Sequence, residues 1–143
     1  MAVPEFLRKA RTMRVYGKAK SILIHTRQIL ASEKNIPKRH RHDYADRLDN
    51  EATEMYLCVC RANTIHPTRQ EDYLLRREYL IRAKTHAETL CYFLDLTYDA
   101  GYLRNISMDF WYGEIDEFLT QLAGLRKSDR ERFGKLLVAS GNA

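Results

Sequence analysis

Proline and glycine are scarce in this chain, three and six among 143 residues. With no β-type alternation and no hairpin dipeptide, that scarcity leaves nothing from which to build a β fold. There is no run of about eighteen apolar residues, so a membrane-spanning helix is not expected. The opening Met-Ala-Val-Pro-Glu-Phe-Leu-Arg lacks the apolar stretch and cleavage site of a secretion signal, and a cytoplasmic location is expected. Only three cysteines occur. Cys58 and Cys60 stand about 200° apart around a helix axis, too far round to share a bond or a metal. Together with Cys91 they read as reduced packing residues.

The length suits one domain with a core of its own, and apolar spacing of three and four residues divides it into four helices. The first is expected from Met13 to Glu33, with Val15, Ala19, Ile22, Leu23, Ile29 and Leu30 on its inner face. Asp43 is the expected N-cap of the second, which carries Ala45, Leu48, Ala52, Met55, Val59 and Ala62 and ends between Asn63 and Pro67. The third runs from Thr68 to Gly101, opened by a capping box of Thr68 and Glu71. Ser107 caps the fourth, whose stripe is Met108, Trp111, Ile115, Phe118, Leu122 and Leu125 and whose end is expected near Lys127-Ser128. The pattern predicts an all-α, antiparallel, up-down-up-down four-helix bundle over residues 1–128, including a basic, partly ordered lead-in over 1–12. Residues 129–143 are expected to form a short extra helix or a frayed tail.

Tyr16, Ile24, Tyr56, Leu57, Leu74, Ile81, Phe93, Leu96 and Phe110 lie off these stripes. They are too many to scatter harmlessly, so a surface for self-association is expected through Tyr16, Ile24, Tyr56, Leu74, Ile81, Phe93, Leu96 and Phe110.

Charge is lopsided. The whole chain carries a formal +5, but residues 1–41 hold eleven Lys or Arg against two acids, and the remainder is neutral to slightly acidic. An ordinary solvated helix mixes signs at i and i+4. Such an excess points to an external polyanion or an acidic protein surface, with nucleic-acid phosphate the commonest case and binding that is non-specific and salt-dependent. The residues expected to carry it are Arg8, Lys9, Arg11, Arg14, Lys18, Lys20, Arg27, Lys34, Lys38, Arg39 and Arg41. Aromatic residues are not interleaved with these cations except at Tyr16, so reading of bases is not expected.

No catalytic residues, cofactor or small-molecule substrate are expected. Gly-rich phosphate loops, the Gly-x-Ser-x-Gly elbow and the Glu-x-x-His motif of di-iron bundles are absent. His40-Arg41-His42 offers two imidazoles, but its basic setting repels metal cations and no metal site is expected. Arg61 and His66 have the Arg-x4-His spacing resembling that of the HEPN ribonucleases. Pro67 places His66 in a turn, and a basic helical chain produces that spacing by chance.

Three stretches carry a broader likeness: Ile36-Pro37-Lys38 ahead of the second helix, Arg77-Glu78-Tyr79-Leu80-Ile81-Arg82-Ala83-Lys84 in the third, and Leu122-Ala123-Gly124-Leu125-Arg126-Lys127-Ser128 near the end of the fourth. With the order of elements, over about residues 13–128, they resemble the small four-helix-bundle family that includes proteins encoded in 23S rRNA intervening sequences and Avd, the accessory variability determinant of diversity-generating retroelements. Leu125 stands where a Trp is common, and the second helix lacks the Asn-Ile-Ala-Glu-Gly-like end of the intervening-sequence branch, which favours the Avd branch. The resemblance implies a homopentameric ring with a positive surface that binds a reverse transcriptase and its template RNA or cDNA and supports mutagenic retrohoming. The rival within the family is an intervening-sequence-type bundle of unknown partner.

Overall fold

The computed structural model describes residues 10–141, and the side chains of residues 12–137. The described chain is all-α: α1 (Ala10–Leu30), α2 (Asp46–Asn63), α3 (Gln70–Asp99) and α4 (Met108–Gly141), with no strand among the described residues. Each helix packs against two others, α1 against α2 and α4, and α3 against α2 and α4, consistent with a four-helix bundle. Trp111, Ile115, Phe118, Leu122, Ile22, Leu48, Met55, Leu80, Leu90 and Leu94 fill the centre. The α2 and α3 faces meet most extensively. Ala52 and Ala62 of α2 and Ala83 and Ala87 of α3 are fully buried, and side chains this small let helix backbones approach closely.

α1 already runs at Ala10, inside the stretch 1–12 expected as a partly ordered lead-in and ahead of the expected start at Met13. Four further boundaries differ from the expectation, each for a physical reason. α1 stops at Leu30 rather than Glu33, because the Asn35 side-chain amide donates to the Ile29 carbonyl at 2.8 Å and satisfies one of the orphan carbonyls of the helix end, while in the turn that follows Ser32 Oγ accepts from the Lys34 N–H. Asp43 is not the N-cap of the second helix. A 3-10 turn over Lys38–His40 follows Pro37 directly, and a wide π-turn over Arg41–Ala45 leads into α2 at Asp46. Pro37 disfavours helix before it but is preorganised to start one. At α3 the capping acid is Asp72, not Glu71: its Oδ2 accepts from the N–H groups of Thr68 and Arg69 at 3.2 and 3.1 Å. Those bonds hold the Asp72 carboxyl below the usual carboxylate range, the Thr68 N–H contributing most.

The fourth correction is the largest. α4 does not end near Lys127-Ser128 but continues to Gly141. Its inward stripe passes through Asp129, whose carboxylate is buried against Arg76 of α3. Arg76 Nε donates to Asp129 Oδ2 at 2.6 Å, Arg76 Nη1 to the Ala62 carbonyl at 2.8 Å, and Arg132 Nη2 to Asp129 Oδ1 at 2.7 Å. Ser107 does cap α4, accepting from the Phe110 N–H at 3.2 Å.

Candidate nucleic-acid interface

Of the eleven cations singled out, Arg8 and Lys9 lie outside the described residues, and Arg11 has a helical backbone but no described side chain. The rest divide into two groups. Lys18 Nζ sits 2.6 Å from Glu114 and 3.0 Å from Glu117 of α4. The bond to Glu114 raises the Lys18 pKa above its ordinary value against the opposing effect of burial. Arg27 Nε donates to Asp49 at 2.9 Å and its Nη2 to Thr53. These two are quieted by the chain's own acids. The expectation of a first helix without internal counter-ions is corrected at both positions.

Arg14, Lys20, Lys34, Lys38, Arg39 and Arg41 are exposed and make no ion pair among the described residues. Arg14 opens on a cleft of about 360 Å³ that it shares with Lys127 and Thr120. Lys20 lies 5.9 Å from the Tyr16 ring centroid, a loose cation–π contact. Arg41 borders a second cleft, of about 290 Å³, together with Asp46 and Asp49. Lys34, Lys38, Arg39 and Arg41 gather at one end of the helices, on the connection between α1 and α2.

The fold adds partners at that end which sequence order hides. The N–H of Leu103, in the link between α3 and α4, donates to the Asn35 carbonyl at 3.1 Å and ties the two connections together. Tyr102 then lies 5.3 Å from the His40 ring and 5.4 Å from Tyr44, and all three rings are half-buried. Arg104 stacks on Tyr98 at 4.0 Å and also donates to the Tyr98 carbonyl. Cations and aromatic faces therefore share one surface, although Tyr102 and Arg104 stand some sixty residues from the basic loop. The only signal in the sequence was that both links join helices at the same end of an alternating bundle.

The expected association residues separate in a similar way. Tyr16, Tyr56 and Phe93 pack against the chain's own core, and the Tyr16 and Tyr56 hydroxyls lie 3.5 Å apart, raising the Tyr56 pKa. Leu74 is half-buried. Ile24, Ile81, Leu96 and Phe110 are exposed, as is Tyr92, which sequence reasoning passed over. Ile24 and Phe110 border a groove of about 360 Å³ between α1 and α4, with Lys20, His25 and Glu114. Ile81, Tyr92 and Leu96 share one outer face of α3, since eleven residues is close to three full turns.

Arg61 is 3.8 Å from Glu54, and His66 is an exposed residue on the rim of a small cavity with Asn63, Arg76 and Arg132. All three cysteines are free, and burial pushes each thiol above its ordinary pKa. One mixed donor cluster forms between helices: Glu54 and Cys58 of α2 and His86 of α3 have donor atoms within 4.8 Å of one another. No helix among the described residues is long and apolar enough to cross a membrane. Comparison with protein-family models, curated proteins and solved structures finds no match to this chain.

Proposed function

We propose that the chain is a non-enzymatic accessory protein that binds a reverse transcriptase and its template RNA or cDNA through the cations at its loop end, as its resemblance to the Avd family implies. The observation that carries this reading is that Lys34, Lys38, Arg39 and Arg41 are exposed, without ion pairs among the described residues, and share the connection between α1 and α2 with His40 and Tyr44, whose rings lie against Tyr102. Phosphates would take the place of the missing anions, and unpaired bases would have rings to stack on.

The same reading includes an antiparallel bundle that closes into a homo-oligomeric ring, a pentamer by resemblance. Pairings between helices support the first part. Tyr16 meets Tyr56 while Arg27 meets Asp49; Lys18 meets Glu117 while His25 meets Trp111; Glu51 meets His86 while Arg76 meets the Ala62 carbonyl; and Tyr73 meets Phe133 while Arg76 meets Asp129. In each pair of helices one index rises as the other falls. The ring draws support from the exposed apolar residues, which occupy two different faces, the α1–α4 groove and the outside of α3. Head-to-tail contact between unlike faces generates rings, whereas one self-complementary patch generates dimers.

The test is a fourfold variant, Lys34→Glu, Lys38→Glu, Arg39→Glu and Arg41→Glu, assayed for binding to single-stranded RNA and to a retroelement reverse transcriptase. Loss of both with an unchanged helical circular-dichroism spectrum is expected. Unchanged affinity for both partners refutes the reading.

A further inference from the structure

We infer that Glu54, Cys58 and His86 form a binding site for a zinc-type divalent transition-metal ion between α2 and α3, independent of the nucleic-acid reading. Cys58 and Glu54 lie one helical turn apart on one face of α2, and His86 reaches toward them from α3, so that all three donor atoms fall within 4.8 Å of one another. In a zinc site sulfur, nitrogen and oxygen donors stand about 2.0–2.3 Å from the ion, which sets neighbouring donors about 3.4 Å apart. Small side-chain rotations close that difference. The two helices that carry the donors, α2 and α3, share the most extensive helix–helix contact among the described residues, which holds their backbones in place. Donors mounted on two rigid helices make a more defined site than donors on loops.

A second observation points the same way. The Glu51 carboxylate lies 2.7 Å from His86 Nδ1, with both side chains half-buried. A carboxylate on one ring nitrogen fixes the proton there and leaves the other nitrogen with a lone pair, the orienting contact that accompanies metal-bound histidines. Here Glu51 is the positioning residue. Thiolate and imidazole donors favour zinc, cobalt or copper over magnesium and calcium. Binding replaces the Cys58 thiol proton, which passes to solvent, and the two anionic ligands balance the dication. The cost is the Arg61–Glu54 contact, a 3.8 Å pair between half-exposed side chains that is weak in water, together with the positive charges of Arg61 and Arg82 that act on Cys58. Three protein ligands leave a fourth position for water.

The experiment uses the full chain, stripped with a chelator and titrated with Co²⁺ alone. One equivalent should produce a thiolate-to-cobalt charge-transfer band and the visible bands of tetrahedral cobalt, both erased by one equivalent of Zn²⁺. Cys58→Ser should lose the charge-transfer band while Cys60→Ser and Cys91→Ser keep it. Glu54→Gln, at a half-exposed side chain where folding is not at risk, should weaken Zn²⁺ binding at least tenfold, and Glu51→Gln by about 10–100-fold. No charge-transfer band in the parent protein, or zinc affinity within twofold of the parent in Glu54→Gln, overturns the inference.

Discussion

The N–H of Leu103 donates to the carbonyl of Asn35 across 3.1 Å, and the residue that does so has a left-handed backbone, φ 61°. That conformation costs a non-glycine residue about 1–2 kcal/mol. It is tolerated because the Leu103 side chain is almost wholly buried and because the bond joins the two connections that carry the cations and rings. Leu103→Ala should lower stability by about 2–5 kcal/mol through the cavity it leaves, read by urea denaturation. It should also loosen Tyr102 from His40 and reduce affinity for single-stranded RNA.

The cations should divide by function as they divide by geometry. Lys18→Ala should lower the melting temperature and leave RNA affinity within about twofold, since Lys18 is occupied by Glu114 and Glu117. Lys38→Ala should do the reverse: no change in melting, weaker binding, and a salt dependence shallower by about one charge. Equal RNA losses in the two variants would show that the internal pairs open on binding.

Arg76 and Asp129 form a nearly dry ion pair, and removal of Asp129 leaves the buried Arg76 charge without its carboxylate. Asp129→Ala should cost about 3–5 kcal/mol, whereas Arg76→Leu with Asp129→Leu together should cost far less, because the desolvation penalty disappears with the charges. A double-mutant cycle by thermal or urea unfolding measures the difference.

His25 lies edge-on to Phe110 and Trp111, with Nε2 buried and without a hydrogen-bond partner. Burial lowers its pKa below the ordinary 6.5, against a smaller upward pull from Glu114. Just below pH 6.5 the unfolded chain therefore takes up this proton and the folded chain does not, so stability rises with pH there and is lost as pH falls. His25→Phe should flatten the dependence of melting temperature on pH between about 7 and 5 relative to the parent. Parallel curves for the two proteins would exclude His25 as the source.

Association through unlike faces has its own signature. Leu96→Asp on α3 and Ile24→Asp beside the α1–α4 groove should each reduce the oligomer measured by light scattering. A mixture of the two variants should pair through the one intact combination of faces, leaving small open assemblies. If only one of the two substitutions matters, the contact is between like surfaces.

The helices were legible because their apolar stripes repeat at three and four residues over long windows, and Ser107 announced its own cap. The misread ends share a cause. Lys127-Ser128-Asp129 looks like a polar stop, and only a partner 53 residues away, Arg76, makes Asp129 an inward residue. Asp72 displaced Glu71 because the chain entering α3 presents the Thr68 and Arg69 N–H groups to it. The basic loop was visible as a charge run, but neither its neighbours Tyr102 and Arg104 nor the distinction between Lys18 and Lys38 has a linear signature. His86 likewise reads as an ordinary helix histidine until Glu54 and Cys58 are placed beside it.

Four fully buried alanines, two on α2 and two on α3, set a limit on how this chain can change over time. Outer residues away from the loop-end cations and the exposed apolar faces can drift in size and charge, but an added methylene at Ala52, Ala62, Ala83 or Ala87 must be absorbed by a packed interior. Descendants that keep the shape must keep this row of minimal side chains, so lineage should be traced through the smallest residues in the protein.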